Sequence, residues 1–327
     1  MSNPKVGVLL AQLGTPEAPT AEALRPYLKE FLSDPRVIEV NRALWWLILN
    51  GIILRFRPRR SAALYQRIWR PNGSPLRIYT AEQACALQGK LGSQVAVDFG
   101  MRYGKPSAST VLDKLCALGI EKLLIFPMFP QYCAATTASV YDAVFDHFKA
   151  RRVVPAIRFV PPYPAHPAYI GALATIARQE FARLPWKPDK ILFSFHGIPK
   201  RYIDKGDPYK AHVGATACAL ADALGLQPAD YELCFQSRFG KEEWLQPYTD
   251  EKLGELARSG VRKVVALCPG FTTDCLETID EIGRESRHKF KEAGGEELQL
   301  VPCLNDHPAW IEAMATIAHE ELSGWGV

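Results

Sequence analysis

Apolar runs of strand length alternate with amphipathic stretches of helical length along all 327 residues, and this alternation constrains the fold more than any other feature. The strand-like runs are Val6–Leu13, Val95–Phe99, Lys122–Met128, Ile157–Val160, Lys190–Phe195, Tyr231–Phe235, Lys263–Leu267 and Leu298–Val301. Between them lie helical patterns such as Ala81–Gly92, Ser107–Leu118, Pro167–Arg183, Lys210–Leu224 and Leu276–Ala293. Strands separated by helices read as βαβ units and hence as parallel sheets. The eight strands divide into two sets of four at the proline-rich PPYPAHPAY, residues 161–169. The expected fold is α/β: two doubly wound, Rossmann-like domains, each a four-stranded parallel sheet flanked by helices. Their expected bounds are 1–160 and 161–305, with a C-terminal helix within 306–327 packing back on the first domain. The length agrees, since 327 residues exceed what most single cores hold.

The balance of charge excludes some functions. A net charge of +4 with no dense basic stripe argues against a nucleic-acid partner. The opening MSNPKVGVLLAQLGTP has a lysine and a short apolar run, but Gln12 and Gly14-Thr15-Pro16 interrupt it and no small-residue cleavage site follows. A cytoplasmic protein is expected. The eight cysteines form no CxxC pair, which argues for reduced, mostly buried thiols rather than a zinc ribbon or a thioredoxin-type motif.

In doubly wound sheets, ligands bind beyond the carboxyl ends of the strands. The unusual residues fall there. Leu13-Gly14-Thr15-Pro16 follows the first strand, GMRYG with Arg102 and Tyr103 the second, and FPQYC (129–133) the third. His196 follows the fifth, FQSRFG (235–240) the sixth, and CPGFTTDCLE (268–277) the seventh. A histidine where a buried strand gives way to glycine, as in ILFSFHG, suits chemistry at the rim of a sheet better than core packing. No GxGxxG follows a strand and no GxxxxGKS occurs, so the usual nucleotide cradles are missing. Leu, Phe, Tyr and Trp with one prominent His and one Glu describe a site for a large, flat, apolar ligand with polar chemistry at its centre.

FSFHGIPKRYIDKGDPY (193–209), FQSRFGKEEWLQPYTDE (235–251) and CPGFTTDCLETIDEIG (268–283) together resemble the ferrochelatases, which insert ferrous iron into protoporphyrin IX. QLGTP, FLSDPRVI, NGSPL and MRYGKPS extend the resemblance over nearly the whole chain. It implies the chelatase fold, protoporphyrin IX and Fe(II) as substrates, and no tightly bound cofactor. It also places the catalytic, metal-handling pair at His196 and Glu277. Leu13, Phe129, Trp244 and Phe271 would wall the macrocycle, and Ser74, Arg102, Tyr103 and Ser237 would orient it. The chemistry suits the pair on independent grounds: a neutral imidazole accepts protons near neutral pH and ligates Fe(II), and a carboxylate offers hard oxygen ligation.

Two departures from the family stand out. No cysteine follows Cys303, and Ala134 stands where an earlier ligand would be, so a [2Fe–2S] cluster of the C-terminal cysteine type is excluded by ligand count. Cys275 occupies a position that is histidine in many relatives. A coproporphyrin chelatase, a cobalt chelatase for a corrinoid precursor and a non-catalytic haem carrier are the alternatives. Two further segments carry expectations. Residues 43–60, ALWWLILNGIILRFRPRR, read either as a buried helix or as a lip making peripheral contact with anionic lipid. Glu277, Glu281 and Glu285, four residues apart, share one helix face, either as a solvated surface or as a relay for Fe(II) or protons.

Overall fold

In a computed structural model that describes residues 4–326, the chain forms two four-stranded parallel sheets. The first contains β1 (Val6–Thr15), β2 (Val95–Gly104), β3 (Lys122–Pro127) and β4 (Ala156–Phe159), ordered β2-β1-β3-β4. The second contains β5 (Lys190–His196), β6 (Tyr231–Gln236), β7 (Lys263–Leu267) and β8 (Glu297–Leu300), ordered β6-β5-β7-β8. In each set the chain winds outward to the second strand and then returns past the first to the third. This is the doubly wound α/β architecture that the alternation of strands and helices implies.

Residues 1–162 and 311–327 make one compact unit, and residues 163–310 the other. In the first unit, Leu9, Leu123 and Ile125 of the sheet pack against Val111, Leu112 and Val144 of the flanking helices. In the second, Leu192, Val264 and Ala266 pack against Leu253, Ile282 and Phe290. The central strands are covered on both faces, which is why β1 and β5 read as nearly unbroken apolar runs.

Three local features differ from the expectations. Strand β2 continues to Gly104, so Arg102 and Tyr103 lie within it rather than beyond it. Met101 and Tyr103, two residues apart, both point into the core, and their ladder with β1 runs on to Thr15 opposite Gly104. The acidic segment is not an ordinary α-helix: Glu277–Ser286 is a π-helix, and α-helical geometry resumes only at Arg287–Glu292. Residues 43–60 are also not a buried helix. The segment runs from an α-helix (Arg42–Ile48) through a π-helical turn (Leu49–Ile53) into a second α-helix (Leu54–Ile68). Leu49, Leu54 and Pro58 face inward, whereas Leu44, Trp46, Leu47, Ile52 and Phe56 are 58–65 % exposed. Trp45 belongs to the inner side, its indole N–H donating to the Leu32 carbonyl at 2.6 Å.

One glycine is required by the close approach of two strands. Gly14 sits opposite Tyr103 with φ at +126°, and a Cβ there would lie 1.8 Å from the Tyr103 carbonyl oxygen. Gly14→Ala is expected to destabilise the protein by about 3 kcal/mol or more, because the new methyl group forces the backbone apart in a region L-residues avoid. Gly171→Ala, in the exposed interior of the helix Pro167–Arg183 with open space around it, should instead stabilise by about 0.5–1 kcal/mol. Urea unfolding of both variants checks the contrast.

Candidate active site

The second unit gathers the reactive groups at the carboxyl ends of its strands. His196 is the last residue of β5 and lies in register with Gln236, the last residue of β6. Its backbone is held on both sides: Tyr209 donates its hydroxyl to the His196 carbonyl at 2.8 Å, and the Gly197 N–H donates to the Gln236 carbonyl at 2.8 Å. The ring is held as well, with Nδ1 2.6 Å from the Gly197 carbonyl oxygen. A carbonyl only accepts, so Nδ1 carries the proton, and in the neutral ring Nε2 keeps its lone pair. The Trp244 ring lies 6.4 Å from the imidazole, centroid to centroid, and its buried indole N–H has no hydrogen-bond partner among the described residues.

Glu277 opens the π-helix. The loop before it is pinned by two hydrogen bonds exchanged between Asp274 and Asn305, at 2.8 and 2.7 Å. The Thr278 hydroxyl adds a third bond to Asp274 at 2.9 Å. The wider π-helix, closed by i→i+5 bonds, holds more than four residues per turn. Residues four apart therefore still share one face, as they do on an α-helix. Along that line Glu277 and Glu281 are half-buried and Glu285 is exposed. Burial raises the Glu281 carboxyl above its ordinary value, and the Glu277 charge adds to this. Hydrogen bonds from Ser237 and the nearby His196 oppose the shift without cancelling it. Glu281 thus lies within electrostatic reach of both His196 and Glu277.

Ser237 and Gln236 hold Glu281 in place. Ser237 adopts a left-handed conformation with φ at +64°, which lets its N–H and its hydroxyl both donate to the Glu281 carboxylate, at 2.7 and 2.5 Å. Gln236 is 3 % exposed and its side chain bridges the strands to the π-helix. Sequence reading quoted FQS but missed this role, although a glutamine ending an apolar strand beside a turn serine was the available signal. Cys275 faces the Glu277 carboxylate. Burial first, and then that negative charge, push its thiol well above its ordinary value. The eight cysteines form no disulfide among the described residues, and five of them are buried.

The remaining candidates fall in both units. Phe271 packs on the core of the second unit and Phe129 on that of the first. Leu13 is half-buried near the end of β1. Ser74 is buried and caps the helix Pro75–Leu91, accepting from the Arg77 N–H at 3.3 Å. Arg102 and Tyr103 converge on Asp34, whose Oδ2 accepts from Ser139 at 2.6 Å, Tyr103 at 2.7 Å and Arg102 at 2.6 Å. Burial alone would raise the Asp34 carboxyl. The bonds from Ser139, Tyr103 and the Arg36 N–H, with the charge of Arg102, outweigh burial and hold it below the ordinary carboxylate value. Among the described residues no group of three or more His, Cys, Asp or Glu side chains is arranged to hold a metal ion.

The model of the ferrochelatase family matches residues 5–322. A ferrochelatase of Teredinibacter turnerae is 51% identical over 329 residues, covering 99% of this chain and 90% of the relative. One from Brucella ovis is 51% identical over 326 residues, covering 98% and 93%. Among solved structures, SirB from Bacillus subtilis with Fe3+ aligns at a TM-score of 0.59 and 15% identity, over 98% of this chain and 97% of that one. CbiX, described as the terminal enzyme for biosynthesis of siroheme in denitrifying bacteria, aligns at 0.53 and 17%, over 97% and 100%. Likeness at such identities is likeness of fold.

The Asp34 cluster generates a stability prediction. Asp34→Asn keeps the shape but removes the charge that three donors and Arg102 face, and should cost about 3 kcal/mol at pH 6. A carboxyl depressed in the folded state contributes stability above its unfolded value, near 3.9, and loses it as pH falls through the folded value. The gap between wild type and variant should therefore narrow below about pH 4, as read from urea unfolding across pH. A constant gap would mean that the charge contributes nothing.

Proposed function

The chain belongs to the ferrochelatase family, lyases of haem synthesis that insert ferrous iron into a porphyrin, and from that premise we propose that its porphyrin is protoporphyrin IX and that His196 and Glu277 carry the chemistry. The observation behind this reading is an imidazole held through Nδ1 at the end of β5, with the half-buried Glu281 of the π-helix within electrostatic reach of both it and Glu277.

Insertion releases two pyrrole protons and strips water from the cation. His196 Nε2 takes a pyrrole proton, acting as a general base. Glu277 offers the incoming cation an oxygen ligand and a compensating charge. Glu281 and Glu285 continue the row to the surface as a relay that carries the cation inward or protons outward. Trp244 and Phe271 provide apolar walls for the macrocycle, and Ser237 supports Glu281. Leu13, Phe129, Ser74 and Arg102 of the other unit carry pocket roles by family resemblance alone, and Tyr103, fully buried against Asp34, has a structural role instead. Walls complementary to a bent ring expose its nitrogens and so favour the reacting state. Iron enters as substrate, and no resident cofactor is invoked.

The protein works in the cytoplasm, touching the membrane peripherally through residues 43–60. No helix among the described residues is long and apolar enough to cross a membrane. The exposed ridge of Leu44, Trp46, Leu47, Ile52 and Phe56 supports surface contact instead. Beside it, Arg25, Lys29 and Arg55 line a groove of about 420 Å³, a charge complement to anionic headgroups.

Two experiments test these readings. Loss of porphyrin fluorescence on metal insertion, with Fe(II) or Zn(II), should be faster for protoporphyrin than for coproporphyrin. His196→Ala should lower the rate by at least about 100-fold while porphyrin still binds. Glu277→Gln should be similarly damaging, and Glu281→Gln and Glu285→Gln should slow turnover only at low metal concentration. Substantial insertion by His196→Ala would remove it from the chemistry. In co-sedimentation, the protein should bind vesicles containing phosphatidylglycerol, and Leu47→Ser with Phe56→Ser should release it. Binding that ignores those changes, or no binding at all, rejects the lip.

A further inference from the structure

Gln236 is a polar side chain with almost no access to water, and every polar atom of its amide is engaged. The Ser194 hydroxyl donates to Oε1 at 2.7 Å, and the Cys268 thiol approaches the same oxygen at 3.6 Å. Nε2 donates to the Glu277 carbonyl oxygen at 2.7 Å and lies 3.5 Å from Glu281 Oε2. A carbonyl and a carboxylate only accept, so the amide nitrogen must face the π-helix and the amide oxygen the strands. The orientation is fixed by its partners on both sides.

The consequence is mechanical. The backbone oxygen of Gln236 accepts from Gly197, next to His196, while its side chain grips the backbone of Glu277. One residue therefore ties together the two groups whose separation the chemistry depends on. The loop between β7 and Glu277 leaves the start of the π-helix without a ladder bond to β5, and Gln236 supplies a direct tie from β6. The longer contact to Glu281 sits at the limit of a hydrogen bond and helps keep that carboxylate turned toward Ser237.

We propose that Gln236 is a positioning residue for the metal step: its amide sets the separation of His196 and Glu277 and the direction of Glu281. This rests on His196 and Glu277 being the reacting pair. A positioning role makes a selective demand, because the porphyrin is held by apolar walls and the metal by the groups Gln236 aligns. Loss of the amide should therefore affect the metal and spare the porphyrin.

The test is steady-state insertion by the full chain, titrating Zn(II) and protoporphyrin separately. Gln236→Leu removes all four contacts at similar volume, and Gln236→Glu keeps the shape but replaces the donor with an acceptor facing Glu277 and Glu281. In both, kcat/KM for the metal should fall about tenfold or more while KM for the porphyrin stays within twofold. Gln236→Asn, which keeps the amide on a shorter stem, should be intermediate and serves if the leucine variant does not fold. A purely structural role would lower the unfolding midpoint and change both KM values together or neither; that result overturns the proposal. His196→Ala and Glu277→Gln measured alongside separate the two levels. If they retain insertion, the catalytic pair is wrong and Gln236 has nothing to position. If they lose it while the Gln236 variants keep normal metal kinetics, only the positioning role fails.

Discussion

The site in the second unit depends on one register. Because β5 and β6 pair with His196 opposite Gln236, the imidazole and the buried amide emerge side by side at the same sheet edge. A slip of one residue would reverse the face of every side chain on β6, turning Gln236 away from the π-helix and Phe235 into its place. The register is secured by packing below: Phe193 and Phe195 of β5 and Cys234 of β6 are fully buried, and Ser194 reaches across to the Gln236 side chain. The apolar part of the strands fixes where the polar part must end.

The π-helix is the second element, and it persists against opposing terms. Three glutamates along one line repel, and burial disfavours the charge on Glu281. What offsets this is local: two donors from Ser237, held in a left-handed turn, and the proximity of His196. The adjoining face supplies the packing, with Ile282 and Thr278 fully buried and Gly283 close under Leu300. A helix with such opposed demands on its two faces is a natural place for the wider, less regular geometry that π-helices mark at functional sites.

How much of this was legible in the sequence follows from which signals are local. Seven of the eight strands were legible to within two residues because burial on both faces leaves unbroken apolar runs, while β2 runs five residues further than its apolar stretch. Fold class and family were legible as well, through motifs spread from QLGTP to CPGFTTDCLE. The π-helix was not, since Glu277, Glu281 and Glu285 have the same spacing on either helix type. The exposure of Trp46 and Phe56 was also hidden, because a run of apolar residues reads alike on an inner or an outer face until its neighbours are known. Gln236 and Asp34 escaped for a related reason. Each is a single polar residue whose importance lies in partners 41 to 105 positions away, at Ser139, Glu277 and Ser194. Hydrogen bonds across such separations leave no periodic trace.

The two sheets carry the argument from fold to function one step further. They share the same strand order, and in both a π-helix follows the third strand of the set: Ala134–Ala138 after β3 and Glu277–Ser286 after β7. The backbone plan is therefore present twice. Its content differs. In the first unit the segment reads AATTA, short and uncharged, and the buried polar cluster of Asp34, Arg102, Tyr103 and Ser139 is closed on itself. In the second it reads ETIDEIGRES, and its carboxylates face an imidazole that still has an atom to offer. A parallel sheet with a π-helix past its third strand thus supplies position without chemistry. What distinguishes the second unit is a histidine at the end of the central strand, a glutamate at the start of the π-helix and a buried glutamine hydrogen-bonded to the backbone beside the one and of the other.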